Sequence, residues 1–406
     1  MKSIKEIYKI GVGPSSSHTM GPKKAAQIFL TKNPNAVRFV VTLYGSLAAT
    51  GKGHMTDRAI NEVLSQNAEV NIIWKPDIFL DYHPNGMKFQ AYNDDGSILD
   101  DWEVFSVGGG TIASPGDKAL ETLDVYDMGT MSEIHSWCKR YGLKYWEYIE
   151  RIESNTIWPF LAEVWSVMKN AIERGLDREG VLPGPLCIPR KASSYYIKAM
   201  GYKDSLKSRG LIFSYALAVS EENASGGLIV TAPTCGSCGV LPAVLYHLWK
   251  SRNFSEEKIL RALATAGLIG NIVKHNASIS GAEVGCQGEV GVACAMASAP
   301  ACQLFGGSLS QIEYAAEMGL EHHLGMTCDP VCGMVQIPCI ERNAHAAARA
   351  FDANVYASFS DGVHAVSFDR VVEVMKQTGY DLPSLYKETS IGGLAKYFGS
   401  KNKICI

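Results

Sequence analysis

Cys286, Cys328 and Cys339 each stand where glycine or proline bends the chain, in GAEVGCQGEVG and MTCDPVCGMVQIPC. A fourth cysteine, Cys405, is the penultimate residue, in KICI. Three thiolates fixed by a fold, with one more on a terminal tail, suit a cluster of soft metal that keeps one exchangeable position. Such a site places the chemistry on metal rather than on a side-chain nucleophile. The intervals of 42 and then 11 residues are too wide for a zinc ribbon or a ferredoxin run. Tertiary structure must therefore assemble the site.

Other groups could serve it. GVGPSSSHTMGP, at 11–22, sets Ser15, Ser16, Ser17, His18 and Thr19 just ahead of helical periodicity. Hydroxyls and backbone N–H groups at a helix start favour an anion such as a carboxylate, and an ordinary capped loop accounts for the same residues. The GxxxxGK[ST] pattern of a Walker loop is absent. His54 in GKGHMTD and His83 in YHPNGM lie beside turns, outside the apolar stripes. Near a substrate each is a candidate general base; elsewhere each is a surface histidine. The CxxC of Cys235 and Cys238 opens a helix, as a redox pair would, but no βαβ context and no second CxxC accompany it. Cys294 and Cys302 fall in a small-residue helix and read as packing, and Cys332 stays open.

Composition limits the partners. The chain has 406 residues, a formal net charge of −3 and 19% charged residues, without a Lys/Arg block. Nucleic acid and anionic membrane are poor partners on charge grounds. The opening MKSIKEIYKIGVG has no apolar signal region and no 18-residue apolar run follows, so a soluble, unsecreted, cytoplasmic protein without a membrane partner is expected. Eleven cysteines cannot all pair within one chain, and reduced thiols favour metal.

The elements that must position these groups change along the chain. Residues 1–126 mix the strand-like VRFVVTLYG, AEVNIIW, FQAYN and WEVFSVGG with the helix-like GPKKAAQIFL and TDRAINEVLSQ. They read as an N-terminal α/β sandwich. Residues 127–406 carry apolar residues at helical spacing, with Ala, Gly and Ser on the helices and Gly-Pro clusters between them. They read as an all-α domain, which makes the chain α+β.

GVGPSSSHTMGP, LYGSLAATGKGHMTD, HPNGM, SVGGG, TAPTCGSCGVLPAVL, NASISGAEVGCQGEVGVACAMA, CDPVCGMVQIPCIERN and KETSIGGLA occur in that order. Together they resemble the bacterial iron–sulfur L-serine dehydratases (L-serine ammonia-lyases) of single-chain type, from about residue 4 to the C-terminus. The resemblance implies a 4Fe–4S cluster on Cys286, Cys328 and Cys339, with Cys405 able to occupy the fourth iron when substrate is absent. It implies an N-terminal domain like a regulatory substrate-binding fold, His54 as α-proton base, and His83 as the histidine that orients or polarises substrate. Ser15, Ser16, Ser17, His18 and Thr19 match the family's active-site loop. The segment between GKGHMTD and HPNGM is shorter here than in many members. Cys235, Cys238 and Cys332 depart from the residues usual in the family and are not cluster ligands by resemblance.

The expectation is therefore an L-serine ammonia-lyase of amino-acid catabolism and gluconeogenesis, without pyridoxal phosphate and assembled as a homodimer. No lysine has a recognisable pyridoxal context. The unique iron would act on the β-hydroxyl and His54 on the α-proton, with the serine loop and Asn276 holding the substrate's charged groups. Base and cluster fall in different domains, so the site is expected at their interface.

Overall fold

The computed structural model describes residues 1–50, 52–66, 68–116 and 123–402, with side chains to 398. Seven strands occur there: β1 (Ile10–Val12), β2 (Arg38–Tyr44), β3 (Glu69–Lys75), β4 (Gly86–Tyr92), β5 (Ile98–Ser106), β6 (Ile112–Ala113) and β7 (Leu228–Val230). Five form one sheet in the order β3-β2-β4-β5-β6. Only β2 and β3 run parallel, which requires a crossover, and the Thr56–Leu64 helix lies in it. Phe29 of the Gly21–Lys32 helix and Ile60 of the crossover helix pack with Phe39, Val41 and Phe89 of the sheet. Phe39, Val41 and Leu43, alternate residues of β2, are buried on the face that the helices cover.

Beyond residue 130 the described chain is helical except for β7. The Val290–Leu304 helix is almost entirely buried, so its small residues let neighbouring helices close in. The N-terminal α/β and C-terminal all-α organisation is as the sequence indicates.

The N-terminal residues also reach the helical core. Met1, Ile4, Ile7 and Tyr8 belong to the helical core, and the Tyr8 hydroxyl donates to the Leu263 carbonyl at 2.7 Å. β1 then pairs antiparallel with β7. The first residues of the chain thus pack against the helical body. Their apolar side chains gain more from the helices than a three-residue strand gains from the sheet. Among the described residues no helix is long and apolar enough to cross a membrane.

Candidate active site

The seam between sheet domain and helical body gathers most of the groups singled out above. Ser15–Met20 makes a tight turn into the Gly21–Lys32 helix: Ser15 Oγ accepts from the His18 N–H at 3.1 Å. All five residues from Ser15 to Thr19 are buried. His18 Nδ1 lies 3.0 Å from Glu388 Oε1, and Ser17 Oγ donates to the same oxygen at 3.1 Å. Ser46 Oγ donates to the Glu388 carbonyl at 2.9 Å and lies 3.3 Å from His18 Nε2. Burial alone would raise the Glu388 carboxyl, but the His18 ring, His54 and Ser17 outweigh it and hold it near 2.

His54 and His83 are buried, not surface histidines. The Thr19 hydroxyl donates to the His54 carbonyl at 2.7 Å, tying the serine turn to the GKGHMTD loop. His54 Nδ1 faces the Thr50 carbonyl at 3.3 Å, and a carbonyl only accepts, so Nδ1 carries the proton. Nε2 keeps its lone pair, 3.9 Å from Glu388 Oε1. Burial first, and then the neighbouring His18 ring, push His54 down to about 3, so the imidazole is neutral near pH 7. His83 is wired the other way. Its Nδ1 accepts from the Asn85 N–H at 3.0 Å, leaving the proton on Nε2, which lies 3.6 Å from Glu283 Oε1 and has no hydrogen-bond partner.

Cys286, Cys328 and Cys339 are buried and none is in a disulfide; Cys286 and Cys328 hold ligand atoms within 4.8 Å of each other, and Cys339 lies near enough to Cys286 to interact electrostatically. Cys286 sits in the short 3₁₀ turn Gly285–Gly288, and Cys339 opens the Cys339–Phe359 helix. Cys328 is held by its N–H to the Tyr386 carbonyl at 2.7 Å and its carbonyl to the Thr389 N–H at 3.1 Å. That pairing lays the 387–389 segment, with Glu388, alongside the thiols. Gly281 permits this closeness: a β-carbon there would stand 2.7 Å from Glu289 Oε2 and 3.4 Å from Cys328 Sγ. A hydrogen bond from Cys328, and the Arg342 guanidinium beside it, draw the Cys286 thiol down to about 7 despite burial. Burial pushes the Cys339 thiol up. Glu289 Oε2 is 3.9 Å from Cys286 Sγ and 3.8 Å from Cys328 Sγ, and burial drives its carboxyl well above the usual range.

Some expected residues are not part of this constellation. Asn276 spends both amide hydrogens on the carbonyls of Gly129 and Ile272, at 2.8 and 2.9 Å, so no N–H donor of its side chain is left for a substrate. Its place at the end of the Glu256–Asn276 helix explains this, since the amide caps its own helix. Cys235 and Cys238 are buried and their thiols pushed up by burial, the reverse of a redox pair. Cys405 lies outside the described residues.

Glu388, Glu289, Arg342 and Ser46 were not foreseen from sequence. Each lies inside a motif quoted above, but a lone Glu, Arg or Ser in a string carries no sign of burial.

Known proteins fix the family. The model of the serine dehydratase alpha chain matches residues 59–395, and that of the beta chain matches 3–68. The chain belongs to the serine dehydratase family. L-serine dehydratase TdcG of Escherichia coli is 42% identical, over 97% of this chain and 99% of its own. L-serine dehydratase of Streptomyces coelicolor is 40% identical, over 97% and 98%. That of Haemophilus influenzae is 39% identical, over 97% and 99%. The Escherichia coli alignment spans 451 positions against 406 residues here. This member of the serine dehydratase family therefore lacks segments that its relative carries.

The donor set fits a metal centre. Two groups of described residues hold ligand atoms within 4.8 Å of one another, Cys286–Glu289–Cys328 and His18–His54–Glu388. The first offers buried soft thiols beside a cation, which suits iron or another thiophilic metal. In the second, His18 Nδ1 and Glu388 Oε1 already lie 3.0 Å apart. His83 Nε2, Ser280 Oγ and Glu388 Oε2 are buried polar atoms without hydrogen-bond partners. Such atoms are costly unless a ligand completes them.

Proposed function

We propose that this chain is an L-serine ammonia-lyase, converting L-serine to pyruvate and ammonia, with a 4Fe–4S cluster on Cys286, Cys328 and Cys339. One observation carries the reading: a neutral, buried histidine with a bare Nε2 shares a buried site with three thiols and unpartnered polar atoms. Bound there, the cluster would supply Lewis-acid assistance to the departing β-hydroxyl.

The side chains account for the rest. His54 Nε2, lone pair free, takes the α-proton, and the Thr50 carbonyl steadies the proton on Nδ1 as the ring becomes cationic. Glu388 Oε1, 3.9 Å away, stabilises that imidazolium. His83 Nε2–H is the donor available to a substrate oxygen. The serine turn fixes Glu388 and His54 rather than reaching for substrate with every hydroxyl: Ser17 and Thr19 are already engaged. Burial keeps the aminoacrylate product of elimination away from bulk water until it tautomerises to an imine and hydrolyses. Arg342 balances the thiolate charge.

Further parts of the reading are a homodimer, a cytoplasmic setting, a role in amino-acid catabolism and gluconeogenesis, and Cys405 as a reversible tail ligand. A Cys405→Ser variant is expected to lose its cluster faster in air; unchanged stability would count against ligation. The function itself is tested by pyruvate release from L-serine by anaerobically purified protein without added pyridoxal phosphate. Activity abolished by air and restored by iron plus reductant supports the reading. Activity indifferent to both contradicts it.

A further inference from the structure

The wiring of Glu388 leaves half of its carboxylate unused. Oε1 takes the Ser17 hydroxyl and the His18 ring, while Oε2 is buried with no partner at all. Nor is the side chain there by default. Glu388 has φ of 49°, in the left-handed region that costs a non-glycine residue energy, and persists because its surroundings hold it. Those restraints come from both sides of the seam: Ser46 grips its carbonyl, and its neighbours Lys387 and Thr389 pair with Cys328. A cavity of about 450 Å³, walled by Ser46, Phe79, Pro84, Ala282 and Lys387, opens onto Glu388. An unpartnered, buried carboxylate oxygen on a residue that lines a cavity calls for a small cation with N–H donors.

We propose that Glu388 Oε2 receives the α-ammonium of the substrate and so selects α-amino acids over hydroxy acids of the same shape. The inference rests on the reading of the site as an L-serine ammonia-lyase and adds the group that reads nitrogen. The geometry suits the chemistry. His54 Nε2 stands 3.9 Å from Oε1 of the same carboxylate, so base and anchor share one site. The same carboxylate thereby anchors the substrate and faces the base. Des-amino analogues would leave Oε2 empty, and a site built around a hydrogen bond rejects a partner that lacks it. Ser17 and His18 are then positioning residues, since they fill Oε1 and leave Oε2 as the oxygen without a hydrogen-bond partner.

The test uses the cluster-loaded His54→Ala protein, in which L-serine can be titrated without turnover. Calorimetry would compare L-serine with 3-hydroxypropionate, which differs only in lacking the ammonium. The expected preference for L-serine is at least ~100-fold. Adding Glu388→Gln should cut that preference below about 10-fold, with the cluster absorbance unchanged and the 3-hydroxypropionate affinity little altered. An unchanged preference in the double variant, or none in His54→Ala alone, overturns the proposal. If Glu388→Gln does not fold, Glu388→Asp, with its carboxylate drawn back by one methylene, should lower the preference about 10-fold or more, and its retention overturns the proposal equally. Pyruvate formation by the unmodified protein separates the two ideas. Pyruvate with an unchanged preference sinks the ammonium site alone; no pyruvate sinks the lyase reading and the ammonium site with it.

Discussion

Gly53 lies so close to Gly333 that a β-carbon on it would stand 2.4 Å from the Gly333 carbonyl oxygen, with the Cys332 carbonyl 2.5 Å away. The contact joins the loop that carries His54 to the loop between Cys328 and Cys339, and both sides are backbone. Gly53→Ala must therefore push the seam apart, at a cost of about 1–3 kcal/mol. Denaturant unfolding should show that loss, and turnover should fall further than stability does. Wild-type stability and turnover would mean that the contact is not needed to set His54 against the thiols.

His54→Ala removes the bare Nε2 without touching a thiol. Turnover should drop by ~10²–10⁴, while iron content and the visible spectrum stay as they were. Near-normal turnover would take the base role away from His54.

The cysteines divide by surroundings rather than by count. Replacing Cys286, Cys328 or Cys339 with Ser should each abolish stable iron binding, because each sits at the Arg342 side of the seam. Cys238→Ala, in the apolar core, should keep full iron content with a modest loss of stability. Iron analysis after gel filtration distinguishes the two classes.

Acid should destabilise the protein partly through histidines far from the site. Burial pushes His247 down to about 4 from an ordinary value near 6.5. The unfolded chain then binds a proton that the folded chain refuses, so stability is full above 6.5 and falls as pH drops toward 4. His247→Gln should be less stable than wild type at pH 8, through lost packing, with the gap narrowing between pH 6.5 and 4. Melting temperatures across that range measure it, and a constant gap would contradict the sign.

Much of this was legible in the sequence, for definite reasons. VRFVVTLYG became β2 and EEKILRALATAGLIGNIVK became the Glu256–Asn276 helix, because periodicity reports directly which face is buried. The glycines flanking Cys286 marked a turn, and a turn is what holds it. β1 and β7 were not legible: three residues each carry too little pattern, and their pairing spans most of the chain. What the Asn276 amide donates to was not legible, because at a helix end its hydrogens go to backbone carbonyls. Glu388 escaped notice because a glutamate between Lys and Thr looks solvated, and the Cys328 pairing and the Ser46 hydrogen bond that draw it inside are tertiary.

If one position of a three-thiol cluster faces L-serine, the iron held there must respond to substrate. Mössbauer spectra of ⁵⁷Fe-loaded, anaerobic His54→Ala protein with and without L-serine would decide it. The account predicts that L-serine shifts the signal of a single iron and leaves the others unchanged. Spectra identical with and without L-serine, or no iron retained by the protein, would contradict it.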